Sequence, residues 1–175
     1  MKNVVLIGFM GTGKTTTGRL LAARMGRQFI DIDKKIELEN NMTISEIFAV
    51  HGEEYFRCKE AEMIARVTRY KNAVIATGGG AVMCPENVAR LRHNSIIIAL
   101  TASLEVIIER TGRRTTRPLL ERPDREQYIA RLLQERSKVY AIADYTFDTT
   151  VSSPPQVTER IINFLRKGGK LRGRR

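Results

Sequence analysis

The sequence predicts an α/β fold in which a parallel five-stranded sheet is flanked by helices. Three observations predict it. Short β-branched runs alternate with longer amphipathic segments along the 175 residues, as they do where parallel strands are joined by crossover helices. A glycine-rich turn follows the first such run and leads into a helical pattern. With 42% hydrophobic residues and two cysteines, Cys58 and Cys84, one domain of this length buries its core without disulfides or metal clips.

The elements follow in chain order. The strands are read at Asn3–Gly8, Gln28–Asp31, Ala73–Thr77, Ser95–Leu100 and Tyr145–Asp148. A helix carrying Leu20, Leu21 and Met25 follows the first of them. Further on, Leu104, Ile107 and Ile108 share one helical face while Glu105 and Glu109 point elsewhere. Glu126 to Ala141 is a second clear helix, with Ile129, Leu132, Leu133 and Tyr140 on one stripe. Gln156 to Arg166 is a third, opened by Pro154-Pro155 and stopped by Gly168-Gly169. One stretch breaks the rhythm: Thr111 to Arg125 reads TGRRTTRPLLERPDR, with five arginines, two prolines and two large apolar residues. A segment of this length between good helices is expected to be a functional or disordered loop.

Gly8 to Thr15 reads GFMGTGKT and fits G-x-x-x-x-G-K-[ST] between a strand and a helix. In that setting successive backbone N–H groups converge on phosphate oxygens, and the helix N-terminus adds its positive end. Gly11, Thr12, Gly13, Lys14, Thr15 and Thr16 are therefore the expected triphosphate-binding residues. Lys14 reaches the β- and γ-phosphates, and the Thr15 hydroxyl is the expected direct ligand of Mg²⁺. A second acidic group is commonly supplied at the end of another strand, but Ala73–Thr77 runs into Gly78-Gly79-Gly80 with no carboxylate. Asp31 and Asp33, at the end of the second strand, are the alternative source, because that edge of an open parallel sheet faces the ligand crevice. The competing reading of this pair is a helix N-cap at Asp33 beside a solvated Asp31.

Three other features look out of place. Arg136 falls four residues after Leu132 and four before Tyr140, on the apolar stripe of its helix, where a guanidinium needs a carboxylate or a ligand anion. Arg57 and Glu60, three apart, can pair on one helical face; a surface salt bridge is the plain alternative. Three consecutive glycines after a strand lose chain entropy without packing anything, which points to close approach of a ligand.

The net charge is +11, and six of those positive charges lie in Arg166–Arg175, leaving +5 for the first 165 residues. The glycine-spaced tail, 166–175, is expected to be disordered, with 1–165 forming a single domain in which about 111–125 is the loop set apart. No nucleic-acid or membrane partner is expected. No apolar run is long enough to span a bilayer, and Met1-Lys2-Asn3 leads straight into Val4 without a signal-peptide pattern, so a cytoplasmic protein is expected, with a monomer as a separate expectation. Cys58 and Cys84 are read as buried or half-buried free thiols, and His51 and His93 as structural or surface residues.

GFMGTGKT, DID, FRCKE, TGGG, RPLL and QERSKVY occur in this order, and together they make the chain resemble shikimate kinase over about residues 2–165. The resemblance implies a nucleoside-monophosphate-kinase-like P-loop fold with a mobile lid. It also implies transfer of the ATP γ-phosphate to the 3-hydroxyl of shikimate, within the route to chorismate. By motif, Asp33 binds the ring hydroxyls and assists the attacking one, while Arg57, Arg136 and the Gly79 backbone hold the carboxylate. Asp31 acts on Mg²⁺ through water, and Arg117 of RPLL meets the phosphates from the lid. Arginine pairs suit such a carboxylate because they grip it with forked, charge-assisted bonds. Rival readings are a kinase for another small acid and a nucleic-acid-binding protein. A signalling GTPase would need N-K-x-D and D-x-x-G strings, and the sequence has neither.

Overall fold

The computed structural model describes residues 2–112 and 124–168, and a single parallel sheet runs through them. Its strands are β1 (Asn3–Ile7), β2 (Gln28–Asp31), β3 (Ala73–Ala76), β4 (Ser95–Thr101) and β5 (Tyr145–Asp148), in the spatial order β2-β3-β1-β4-β5. Each of the five expected strands is present, with ends shifted by no more than one residue. β1 lies at the centre because all five of its residues are buried, the continuous apolar run of a strand covered on both faces.

Alternate residues of the strands feed two cores. Val4, Leu6, Val74, Ile98 and Leu100 point to one face, where α1 (Lys14–Met25) and α7 (Pro154–Arg166) cover them with Leu21, Val157 and Ile161. Val5, Ile7, Ile75, Ile97 and Ala99 point to the other. That second core is completed by α2 (Ile32–Asn40), α3 (Ile44–Val67), α4 (Pro85–His93), α5 (Leu104–Gly112) and α6 (Arg125–Tyr140). Parallel strands bring their C-terminal ends to one edge, so the β1 loop, Asp31 and the glycine run after β3 meet there.

α3 is not one straight rod. Gly52 stands at φ 82, ψ 172, interrupting the helix at a backbone geometry open only to glycine. The segment before it carries Ile44 and Phe48, and the segment after it carries Arg57 and Glu60.

Several boundaries differ from the sequence reading. The long helix runs Arg125–Tyr140, and the expected loop loses both ends: Thr111 and Gly112 finish α5, and Arg125 opens α6. Arg125 Nη2 ties the two helices together by donating to the Ile108 carbonyl at 3.1 Å and to Thr111 Oγ1 at 2.9 Å. Residues 113–123, with Arg113, Arg114, Arg117 and Arg122, lie outside the described residues, as do 169–175. Arg166 belongs to the last turn of α7 rather than to the tail. Cys58 is exposed, not buried, because the buried stripe of α3 passes through Phe56 and Glu60 instead; Cys84 is half-buried. His51 and His93 are exposed. No helix among the described residues is long and apolar enough to cross a membrane.

Candidate active site

The β1–α1 loop closes over a cavity of about 360 Å³, lined by Gly11 to Thr17, Asp31, Asp33, Thr77, Arg110, Thr149 and Pro154 among others. Gly8, at φ 138, starts the loop; a Cβ there would stand 2.2 Å from the Leu100 carbonyl oxygen. Lys14 is nearly buried and its Nζ donates to the Gly8 and Phe9 carbonyls at 2.7 and 2.9 Å, which folds the ammonium back over the loop. Thr15 Oγ1 donates to Asp31 Oδ2 at 2.7 Å. Asp31 uses its other oxygen, at 3.2 Å, to accept from the Lys34 N–H and so caps α2. The N-cap is therefore Asp31 and not Asp33, and it serves the cap and the crevice together. Asp33, in the first turn of α2, lines the cavity.

A second, smaller cavity of about 50 Å³ adjoins the first and shares Met10 and Asp33 with it; its other walls include Phe48, Phe56, Arg57, Glu60, Gly79 and Arg136. Here the sequence's misplaced residues come together. Arg57 Nη1 donates to Glu60 Oε2 at 2.8 Å, and its Nη2 reaches Glu53 at 3.1 Å. This is not a surface salt bridge, because the Glu60 side chain is 1% exposed. Burial pushes the Glu60 carboxyl up from its ordinary range, against the pull of Arg57. Burial would lower Arg57, but Glu60 and Glu53 outweigh it and the guanidinium is held firmly charged. Arg136, half-buried, spreads over the Phe9 ring at 5.7 Å.

The three glycines are explained by the side chains around them. A Cβ on Gly78 would lie 2.7 Å from Asp33 Oδ1 and 2.7 Å from Glu60 Oε1, and one on Gly80 would lie 2.7 Å from Arg57 Nη2. Gly79 alone has ordinary clearance, with Arg136 Nη1 3.6 Å from its Cβ position. The run makes room for the site's charged groups, and all three glycines line the second cavity.

A nucleotide-sized cradle, a small pocket with two arginines, and a shared aspartate narrow the chemistry to phosphate transfer onto an anionic acceptor. The shikimate kinase family model matches residues 10–166. The chain belongs to the shikimate kinase family. It is 48% identical to a shikimate kinase of Pelotomaculum thermopropionicum, over 95% of this chain and 97% of that one. It is 47% identical to one of Caldanaerobacter subterraneus subsp. tengcongensis, over 99% of this chain and all of that one. A shikimate kinase from Acinetobacter baumannii, solved in complex with shikimate, superimposes with a TM-score of 0.92 at 37% identity, covering 98% of this chain and 96% of that chain. The activity is that of the family, phosphate transfer to shikimate.

Two residues of this shikimate kinase site carry no local signal in the sequence, and a third, Glu60, stands there only as a possible partner of Arg57. Glu60 was visible in principle: Phe56, Glu60, Met63, Ile64 and Val67 form one buried stripe, so its carboxylate is as misplaced as the Arg136 guanidinium. Arg110 gave no such signal. It lines the cradle and donates to the Gly11 carbonyl at 3.3 Å and to Thr149 Oγ1 at 3.1 Å, contacts made across the fold. Tyr140 is the core residue its place on the apolar stripe predicts, and its hydroxyl also donates to the Gly79 carbonyl at 2.6 Å.

Proposed function

We propose that the chain transfers the γ-phosphoryl group of ATP to the 3-hydroxyl of shikimate, giving shikimate 3-phosphate and ADP, as a cytoplasmic monomer. The observation that carries the reading is Asp33, which lines both the cradle and the arginine pocket. A group bound in one can therefore meet a group bound in the other at that carboxylate. In this reading the triphosphate lies on Gly11 to Thr16, with Lys14 leaving its loop carbonyls for phosphate oxygens. The rest of the nucleotide occupies the part of the cavity walled by Arg110, Thr149 and Pro154. Arg57 and Arg136 grip the shikimate carboxylate, with a backbone contact from Gly79. Asp33 then orients the 3-hydroxyl and accepts its proton as the oxygen attacks. Lys14 neutralises charge on the transferring group, joined by Arg117, whose role rests on its motif.

Thr15 and Asp31 fit Mg²⁺: a hydroxyl and a carboxylate 2.7 Å apart at the cavity wall are the hard oxygen donors that ion takes. The described residues hold no cluster of three or more acidic, His or Cys side chains; Mg²⁺ takes few protein ligands and completes its shell with water and phosphate oxygens. Thr15 would bind it directly and Asp31 through water. When bound there, the ion would supply neutralisation of phosphate charge.

The test is ADP release measured with shikimate, gluconate, quinate or no acceptor. Shikimate alone is expected to give fast release. Equal turnover with gluconate, or fast release with no acceptor, would overturn the assignment.

A further inference from the structure

Tyr140 touches neither phosphate nor acceptor in the reading above, yet it joins two of the groups assigned to the acceptor. The residue is 5% exposed and packs into the second core. Its hydroxyl spans 61 positions of sequence to donate to the Gly79 carbonyl at 2.6 Å. Arg136 stands one helical turn earlier on α6, where residues four apart share a face. Its guanidinium lies beside the hydroxyl, and its Nη1 is 3.6 Å from the Cβ position of Gly79. Burial, opposed by Arg136, pushes the hydroxyl up to about 12, so the proton needed for donation stays in place.

Gly79 is the middle of three glycines, the most freely rotating backbone a protein can have. A hydrogen bond on its carbonyl fixes the plane of the following peptide and removes that freedom. The Arg136 guanidinium lies beside both the hydroxyl and this glycine, so peptide and cation are held in one frame before any ligand arrives. Groups ordered in advance lose less entropy on binding.

We propose that Tyr140 is a positioning residue for the acceptor carboxylate, its hydroxyl locking the Gly79 backbone and the Arg136 guanidinium into their binding arrangement. This rests on the assignment of Gly79 and Arg136 to the carboxylate. Tyr140 acts through those two groups and does not itself meet the substrate.

The test compares Tyr140→Phe, Arg136→Ala and the double variant, with steady-state constants for both substrates and a thermal melt of each protein. Tyr140→Phe removes one oxygen and keeps the ring, so the core volume is preserved. Its shikimate KM is expected to rise on the order of 5- to 20-fold, the effect of losing one buried hydrogen bond, with kcat and the ATP KM nearly unchanged. In the Arg136→Ala background the same substitution is expected to add less than about twofold, because contacting residues that act together are not additive. Direct shikimate binding in the cold repeats the comparison if the variant melts early. An unchanged shikimate KM, an equal rise in both KM values, or full additivity with Arg136→Ala would overturn the inference. Arg136→Ala alone separates the two layers. If it raises the shikimate KM while Tyr140→Phe does not, only the positioning role falls; if it leaves that KM unchanged, the carboxylate assignment falls and takes this role with it.

Discussion

The two halves of the site are built by different means. On the nucleotide side the phosphate cradle is a single run of chain, Gly8 to Thr16, shaped by backbone anchored on the sheet, while Arg110, Thr149 and Pro154 wall the rest of that cavity. The acceptor side is a set of side chains delivered by α2, α3, the loop after β3 and α6. A backbone cradle suits what all nucleoside triphosphates share, and it cannot be altered without altering the fold. A pocket of side chains can be altered residue by residue while the fold stands. Damage on the first side should therefore appear as lost stability, and damage on the second as lost acceptor binding or turnover.

Asp33, where the two sides meet, should show the largest kinetic effect. Asp33→Asn is expected to lower kcat by about 10²- to 10⁴-fold, the usual contribution of a positioned acid or base, with nucleotide affinity retained in a direct binding titration. A near-normal kcat would remove Asp33 from the reaction.

Gly8→Ala tests the claim that the cradle fails through the fold. The added Cβ would sit 2.2 Å from the Leu100 carbonyl oxygen at a φ of 138, so a loss of about 3–5 kcal/mol is expected in denaturant unfolding. A stable variant with a raised ATP KM would break the comparison. Gly80→Ala is the counterpart on the acceptor side. Its Cβ meets only the guanidinium of Arg57, at 2.7–3.0 Å, which is the movable end of a long side chain. The shikimate KM should rise on the order of tenfold, the scale of one displaced charge-assisted contact, while the melting temperature stays close to that of the parent.

The smallest effect concerns Glu60 and pH. Its carboxyl is raised in the folded chain by burial, so the native state keeps a proton that the unfolded chain has released above its ordinary value of 4.5. Stability contributed by this group is therefore present below that pH and declines as pH rises toward the native value, by at most about 1.4 kcal/mol per pH unit. Urea unfolding of the parent and of Glu60→Gln, stepped upward from pH 4.5, should show that slope in the parent and a shallower one in the variant. Identical slopes would mean that Arg57 keeps Glu60 ionised throughout.

The same contrast decides what could be read from the sequence. The cradle is contiguous, so its spacing and flanking elements were enough to place Gly11, Lys14 and Thr15. The five strands were equally legible, because each is a short apolar run whose burial is its own signal. Arg136 could be picked out because a guanidinium on an apolar stripe breaks a local pattern. Glu60 breaks the same kind of pattern, but α3 was not delimited, and its interruption at Gly52 blurs the helical period. Asp31 could not be recognised as the N-cap, since Asp31 and Asp33 are equally suited by residue type and only the backbone decides between them. The reach of Arg110 to Gly11 and Thr149, and of Tyr140 to Gly79, joins residues 39 to 99 positions apart. Nothing local to either residue encodes such partners.

The strand order has a further consequence, for the birth of the protein. β1 is made first, yet its neighbours are β3 and β4, whose residues begin at Ala73 and end at Thr101. Until those residues have left the ribosome, the opening strand has no sheet to join, and the Leu100 carbonyl that crowds Gly8 has not been made. From Thr15 until Thr101 the nascent chain thus carries a complete phosphate-binding string without the structure that would let it hold a nucleotide. Pairing over such separations is slow to form. A ligand that binds only the paired sheet would favour it over the unpaired chain.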